Sequence, residues 1–284
     1  MMSQVKIVTD STADLPLALI KELGITVVPL KVLFGENVYC EGVDISAREF
    51  YEKLKESDKL PTTSQPSPGE FQEVFNSLSA DGSSVISIHI SANMSGTYQA
   101  ALIAKNALPG RDITVIDSKL VSMALGLVVI EAARAARAGK NKLEIINIAH
   151  NVMNKVNTYF VVDTLEYLQK GGRIGKAQAL LGTMLNIKPI LTLQDGFVAS
   201  FEKVRGKGKA LERILELARK FSDAHEGREI RCALVHADVL DETIAFHKRM
   251  ISELRCSEHI ISDIGAVVGT HAGPGTIALF FYAD

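Results

Sequence analysis

The sequence predicts an α/β fold in two domains: a three-layer α/β/α domain on a parallel sheet over residues 1–150, and a two-layer α/β domain with a mixed sheet over residues 151–284. Three observations carry this expectation. Short apolar runs rich in β-formers alternate with helical stretches through the first half, as βαβ units and a parallel sheet require. The rhythm then changes at a helical stretch over 142–156, which crosses between the halves. Beyond it, Asp195-Gly196 sits between two β-type runs, the strongest short hairpin signal, so an antiparallel pair enters the sheet.

Each element follows from local chemistry. Residues 5–9 form a β-type run ending in Asp10-Ser11-Thr12, and Asp14 ahead of Pro16 marks a helix start. Residues 26–34 are the next apolar run. Ser46-Ala47-Arg48-Glu49 fits a capping box that opens a helix to Glu56. A polar linker over 57–66 leads to a second capping box, Ser67-Pro68-Gly69-Glu70, with proline at the first helical position. Residues 85–90 read as a continuous apolar strand, followed by the hydroxyl-rich turn from Ser91 to Thr97 and a helix that faces a core with Tyr98, Ala101, Leu102 and Ala104. A buried strand over 113–116 ends at Asp117-Ser118, and an alanine-rich helix covers 121–138. In the second half, strands are expected at 160–162, 187–193, 197–204, 232–236, 260–264 and 277–282. Helices are expected at 165–169, 177–184, 207–222 and 241–254.

Composition narrows the function classes. The chain has 284 residues, 47% of them hydrophobic, enough for a full core. A net charge of −2 gives no support for nucleic acid or an anionic membrane as a generic partner. Cys40, Cys232 and Cys256 form neither a C-x-x-C pair nor a metal spacing, so a reduced, cytoplasmic location is the simplest expectation. The N-terminus enters a strand with no signal-peptide pattern, and the greasiest stretch, around 123–130, is too short to span a bilayer.

The familiar catalytic signatures are missing. Neither G-x-x-x-x-G-K-[ST] nor G-x-G-x-x-G is present, nor H-E-x-x-H, nor a G-x-S-x-G elbow. His89, His236 and His271 lack zinc spacing, and no metal or cofactor is expected. Asp10 and Asp117 read as caps rather than a magnesium pair. His225, His247 and His259 read as surface, as do the lysines of Gly206-Lys207-Gly208-Lys209.

What remains is hydroxyls, one histidine and one arginine. Thr62-Thr63-Ser64-Gln65-Pro66 precedes a helix start, and Ser91 and Ser95 lie between a strand and a helix, where free N–H groups attract a carboxylate or phosphate. Ser67 is read as an N-cap; at Ser95, capping and ligand contact coexist. Gly269-Thr270-His271-Ala272-Gly273-Pro274-Gly275 reads as a loop of tiny side chains around one titratable group, a wall of a small-molecule site. A carboxylate beside His271 would favour its charged form. Lys170-Gly171-Gly172-Arg173 offers a guanidinium for an anion, and equally fits a helix C-terminus.

Five of these motifs, in order along the chain, resemble the DegV family: Asp10-Ser11-Thr12-Ala13-Asp14-Leu15, Thr63-Ser64-Gln65-Pro66, Met94-Ser95-Gly96-Thr97-Tyr98, Lys170-Gly171-Gly172-Arg173-Ile174 and 269–275. The resemblance implies a two-domain fold shared in outline with dihydroxyacetone kinase subunits. It also implies a long-chain fatty acid in a buried tunnel. Thr63 and Ser95 would hold the carboxylate, His271 would lie near the head group, and Arg173 at the mouth or partner face. Some members present the acyl group to a separate ATP-binding fatty-acid kinase, which makes such a kinase the expected protein partner and the chain itself no enzyme. A sixteen-carbon tail would gain on the order of 12 kcal/mol gross from burial of its methylenes, so the head group need contribute little. The competing reading is a small-substrate phosphotransferase or a hydrolase using Ser95 and His271; the missing nucleotide loop and elbow weigh against it.

Overall fold

A computed structural model describes residues 5–181 and 188–284. The first half builds a four-stranded parallel sheet in the order β2 (Thr26–Val28), β1 (Val5–Asp10), β6 (Ser84–His89), β7 (Ile113–Asp117). Both faces are covered, which is why β6 is buried along its whole length and reads as an apolar run rather than an alternating one. On one face, Phe71 and Phe75 of α3 (Pro68–Ser79) and the alanines of α4 (Thr97–Asn106) pack on Val8, Val28, Val85 and Ile113. On the other, Ile7, Ile86 and Ile88 meet α5 (Met123–Arg137). The core positions of α4 are Ala100, Ala101 and Ala104; Tyr98 and Leu102, expected to face it, are half-buried.

Helix α5 has eleven buried residues, spread round its circumference. It has no outer face because it is packed against β1 and β6 on one side and against β11 (Ile230–His236) and β13 (Ile277–Ala283) on the other. Helix α6 (Lys142–Lys155) packs beside it. The second half forms a six-stranded sheet in the order β10 (Phe197–Val204), β9 (Lys188–Gln194), β8 (Asn157–Val161), β13, β11, β12 (Cys256–Asp263). Only β11 and β12 run parallel. Alternation along these strands sends Ala233, Val235, Ala278 and Phe280 towards α5. Cys232, Leu234, Leu279 and Phe281 point towards α8 (Lys207–Ala224) and α9 (Leu240–Glu253). The expected hairpin is present, with Asp195 and Gly196 both at positive φ, as its two-residue turn requires.

The structure departs from the sequence expectations at five further places. The apolar run over 26–34 is two strands, because Pro29 cannot donate to a ladder: β2 stays in the parallel sheet and β3 (Lys31–Phe34) leaves it. With β4 (Asn37–Cys40) and β5 (Thr62–Ser64), β3 makes a small antiparallel sheet in the order β4-β3-β5. The polar linker thus contains a strand, an edge strand whose exposed residues show no apolar alternation. Asp14 caps no helix; it sits in the left-handed region at the end of a 3-10 turn over Ser11–Ala13, and Pro16 precedes α1 (Leu17–Leu23). The helix expected at 177–184 is a 3-10 turn over Gly175–Leu180; residues 182–184, and residue 187 of the hairpin, lie outside the described residues. Finally, 269–275 is not a loop throughout: α10 (Ala266–Ala272) runs through His271 and stops at Gly273, whose φ is +77°. Both capping boxes are formed, at Ser46 opening α2 (Ala47–Glu56) and at Ser67 opening α3.

Candidate functional site

The carboxyl ends of β1 and β6 look towards the inner face of the six-stranded sheet, and α10 and β5 close the gap from the side. Between them lies a cavity of about 330 Å³. Its wall is largely apolar: Leu30, Ile90, Met94 and Val121 from the first half, Phe160, Leu168, Leu193 and Val198 from the second, and Val267, Val268 and Ala272 from α10. Its polar residues are Thr12, Thr63, Ser64, Gln65, Ser95, Arg173 and His271. All four residues singled out in the sequence, Thr63, Ser95, His271 and Arg173, therefore line one cavity, although they come from four separate segments.

Each is held by a specific contact. Thr63 is placed by β-pairing opposite Val32, and its Oγ1 lies 2.9 Å from Nε2 of His271. The other ring nitrogen of His271, Nδ1, is buried without a hydrogen-bond partner among the described residues. Burial, with the Arg173 guanidinium nearby as the smaller cause, pushes the imidazole down to about 4 from an ordinary 6.5. The site as built favours a neutral histidine at pH 7; the charged form considered from the sequence would need an anion beside the ring to offset burial. The hydroxyl of Ser95 meets the Thr97 hydroxyl at 2.8 Å and accepts from the Thr97 N–H at 3.3 Å, in the turn that leads into α4. Arg173 donates from Nε to the Met94 carbonyl at 3.1 Å and from Nη1 to the Gly171 carbonyl at 2.7 Å, so it ties the turn after α7 (Glu166–Lys170) to the turn that carries Ser95.

Three residues at this cavity were not picked out as site residues. Ser64 and Gln65 stand in the Thr63-Ser64-Gln65-Pro66 motif; strand alternation would have set Ser64 opposite to Thr63 and does not reach Gln65, so only the motif itself could have drawn notice to them. Thr12 is fully buried, and its hydroxyl donates to Asp10. Asp10 in turn accepts from the N–H groups of Thr12 and Ile90 and from His89 Nδ1 at 2.9 Å, while His89 Nε2 meets Ser87 Oγ at 2.6 Å. Asp10 is thus a cap, as expected, and also the hub of a buried network that fixes the carboxyl ends of β1 and β6. Asp117 accepts from Ala92 N and Lys119 N, again a turn-holding role.

A second cavity, of about 550 Å³, lies against the first and shares Thr63, Arg173 and His271 with it. Its wall carries Lys59 and Lys170 against one acid, Asp58. Among the described residues no group of three His, Cys, Asp or Glu side chains is arranged to hold a metal ion, and no helix is long and apolar enough to cross a membrane.

Comparison with known proteins gives the family and the fold. The sequence profile described as "Uncharacterised protein, DegV family" matches residues 4–284. A DegV domain-containing protein of Halalkalibacterium halodurans is 41% identical over 284 residues, covering 100% of both chains. Protein DegV of Bacillus subtilis is 36% identical over 97% of this chain and 98% of its own. Among solved structures, a fatty-acid-binding DegV family protein from Thermus thermophilus superposes with a TM-score of 0.92 at 37% identity, covering 99% of this chain and 100% of that one. A stearic acid-binding protein from Eubacterium ventriosum superposes with a TM-score of 0.89 at 30% identity over 98% of both chains. The chain belongs to the DegV family.

Proposed function

We propose that this protein binds a long-chain fatty acid in the apolar cavity, with the carboxylate held by the hydroxyls of Thr63 and Ser95, His271 near the head group behind Thr63, and Arg173 at the mouth. The observation that carries the reading is the pairing of an apolar wall with a neutral, hydroxyl-and-imidazole end. In the tautomer protonated at Nε2, His271 donates to Thr63 Oγ1, which frees the threonine hydroxyl to donate to a carboxylate. Neutral donors suffice because the tail supplies most of the affinity: each buried methylene contributes about 0.8 kcal/mol, and ordering and association remove part of the sum. A cavity of about 330 Å³ lies in the range ligand pockets occupy. The fatty acids bound by the Thermus thermophilus and Eubacterium ventriosum proteins support the same ligand class.

The protein serves lipid metabolism or transport in the cytoplasm as a binding protein rather than an enzyme, with its two units divided near residue 150 and the site between them. The adjoining basic cavity supports a further step, presentation of the carboxyl group to a separate ATP-binding kinase subunit: Lys59, Lys170 and Arg173 surround the space a phosphate donor would enter. The hydrolase alternative lacks its central contact, since His271 is bonded to Thr63 and Ser95 to Thr97.

Native mass spectrometry of the purified protein, followed by lipid extraction, tests the reading. A stoichiometric C14–C18 acid is expected. A clean protein mass that takes up neither palmitate nor oleate overturns it.

A further inference from the structure

Two carboxyl groups from the first half of the chain converge on one glycine of the second. Asp14 Oδ1 accepts from the Gly265 N–H at 3.0 Å, and its Oδ2 from the Ser122 hydroxyl at 2.5 Å. Glu41 Oε1 accepts from the Val267 N–H at 2.8 Å. A methyl group at Gly265 would strike Glu41 Oε1 and lie 3.1 Å from Asp14 Oδ1, so the two carboxyl groups face the same point. Each residue is only 7% exposed, and Glu41 Oε2 is buried with no hydrogen-bond partner among the described residues.

A groove of about 550 Å³ opens above the pair, and no Lys, Arg or His is among its described lining residues. Asp10 faces the pair from β1, and Asp263 from the end of β12, where it lies 3.4 Å from His236. Tyr51 of α2 donates to the Ile264 carbonyl, and Lys55 of the same helix is engaged by Asp238 at 2.5 Å. Two buried carboxylates facing one point cannot both hold a charge cheaply, so the pair keeps a proton. Burial first, then Glu41, holds the Asp14 carboxyl well above the usual range, against the hydrogen bonds from Ser122 and Gly265. Burial raises Glu41 too, opposed by Ser11 and Val267.

The helix they grip is α10, which lines the ligand cavity with Val267, Val268 and Ala272 and carries His271 in its last turn. Resting on the fatty-acid reading above, we propose that Asp14 and Glu41 are positioning residues that clasp α10 to the first half of the chain while at least one of them stays protonated. Losing that proton unseats α10 and speeds ligand release. The sign follows from linkage. The clasped state binds the proton more tightly than the loosened one, so the clasp is whole below the ordinary carboxylate range and is lost as pH rises through the raised folded value.

The test follows palmitate release to excess phospholipid vesicles by stopped flow between pH 6 and 9, with hydrogen exchange of the α10 amides measured on the same protein without palmitate. Wild-type release is expected to accelerate by about fivefold or more, the lower end of ordinary coupling between sites. Glu41→Gln and Asp14→Asn each keep an oxygen for the α10 N–H and remove the charge, so each is expected to flatten the profile. Asp263→Asn, at an exposed side chain, keeps the wild-type slope. Flat wild-type release, or neutral variants as steep as wild type, overturns the clasp. Palmitate binding with α10 protection that does not respond to pH removes the clasp and leaves the fatty-acid reading. No palmitate binding, with α10 protection still linked to pH and flattened by Glu41→Gln, removes the fatty-acid reading and leaves the clasp.

Discussion

The hydroxyl of Thr63 lies 2.9 Å from Nε2 of His271 across a separation of 208 residues, and it joins a three-residue edge strand to the last turn of α10. Removing that hydroxyl leaves a buried imidazole with neither nitrogen paired. Thr63→Val is therefore expected to weaken palmitate binding by roughly tenfold, about the value of one hydrogen bond with its buried partner stranded. Adding Ser95→Ala should weaken it further while the circular dichroism spectrum stays native. Isothermal titration with palmitate checks both; affinity unchanged in the double variant takes these hydroxyls out of the head-group clamp.

The buried neutral state of His271 sets a pH dependence of stability. Its value in the folded chain is about 4 against an ordinary 6.5, so the folded state resists protonation. The contribution is whole above 6.5 and is lost as pH falls through 4, amounting to about 3 kcal/mol by linkage. Urea titrations at pH 7 and pH 4.5 should show wild type losing more stability than His271→Asn. Equal losses would assign the acid sensitivity to other groups.

Two adjacent glycines exist for different reasons and should respond differently. Gly171 has an ordinary φ of −76°, but a methyl group on it would collide with Nδ1 of His271. Gly172 has φ +70° and open space around it. Gly171→Ala is expected to cost about 1–3 kcal/mol through overpacking and to lower palmitate affinity. Gly172→Ala should cost about 1 kcal/mol through backbone strain alone, with affinity preserved. Thermal melts paired with palmitate titrations separate the two, and a Gly172→Ala variant that loses binding contradicts the assignment.

Asp10 gives the sharpest structural prediction. Each of its oxygens accepts from a backbone N–H, Oδ1 from Thr12 and Oδ2 from Ile90. An asparagine must set its NH2 against one of those donors whichever way it turns. Asp10→Asn should destabilise the fold by about 3 kcal/mol, as breaking a buried charged network does. A change under a third of that in urea unfolding would mean the network tolerates a neutral hub.

The parallel and mixed sheets were legible because their strands are apolar and their turns carry strong signals, from the hydroxyls after β6 to Asp195-Gly196. The small sheet was not. Residues 62–64 are polar and lie at an edge, so their strand character comes from pairing with β3 rather than from their own side chains. The same limit hid Asp14, which resembles a helix cap next to Pro16 but finds its partners at Ser122 and Gly265, far along the chain. His271 was legible as a cavity residue from the glycines around it, yet those glycines serve close packing as much as turning: Gly269 lies within α10, where a methyl group would press on Phe50 and the Tyr51 hydroxyl. Short polar segments thus pointed to the cavity, and only tertiary contacts revealed what holds its walls in place.

The place of β13 has a consequence for synthesis. It is the middle strand between β8 and β11, and it follows both of them in the chain. While a ribosome is still upstream of Ile277, β8 and β11 each present an open edge, and α5 lacks part of its second cover. The nascent protein must carry a partly uncovered greasy helix through about the second half of its translation, which makes it a natural client for chaperones that bind such segments. Ribosome profiling with chaperone pull-down should find occupancy rising once α5 emerges and persisting through the codons of β13.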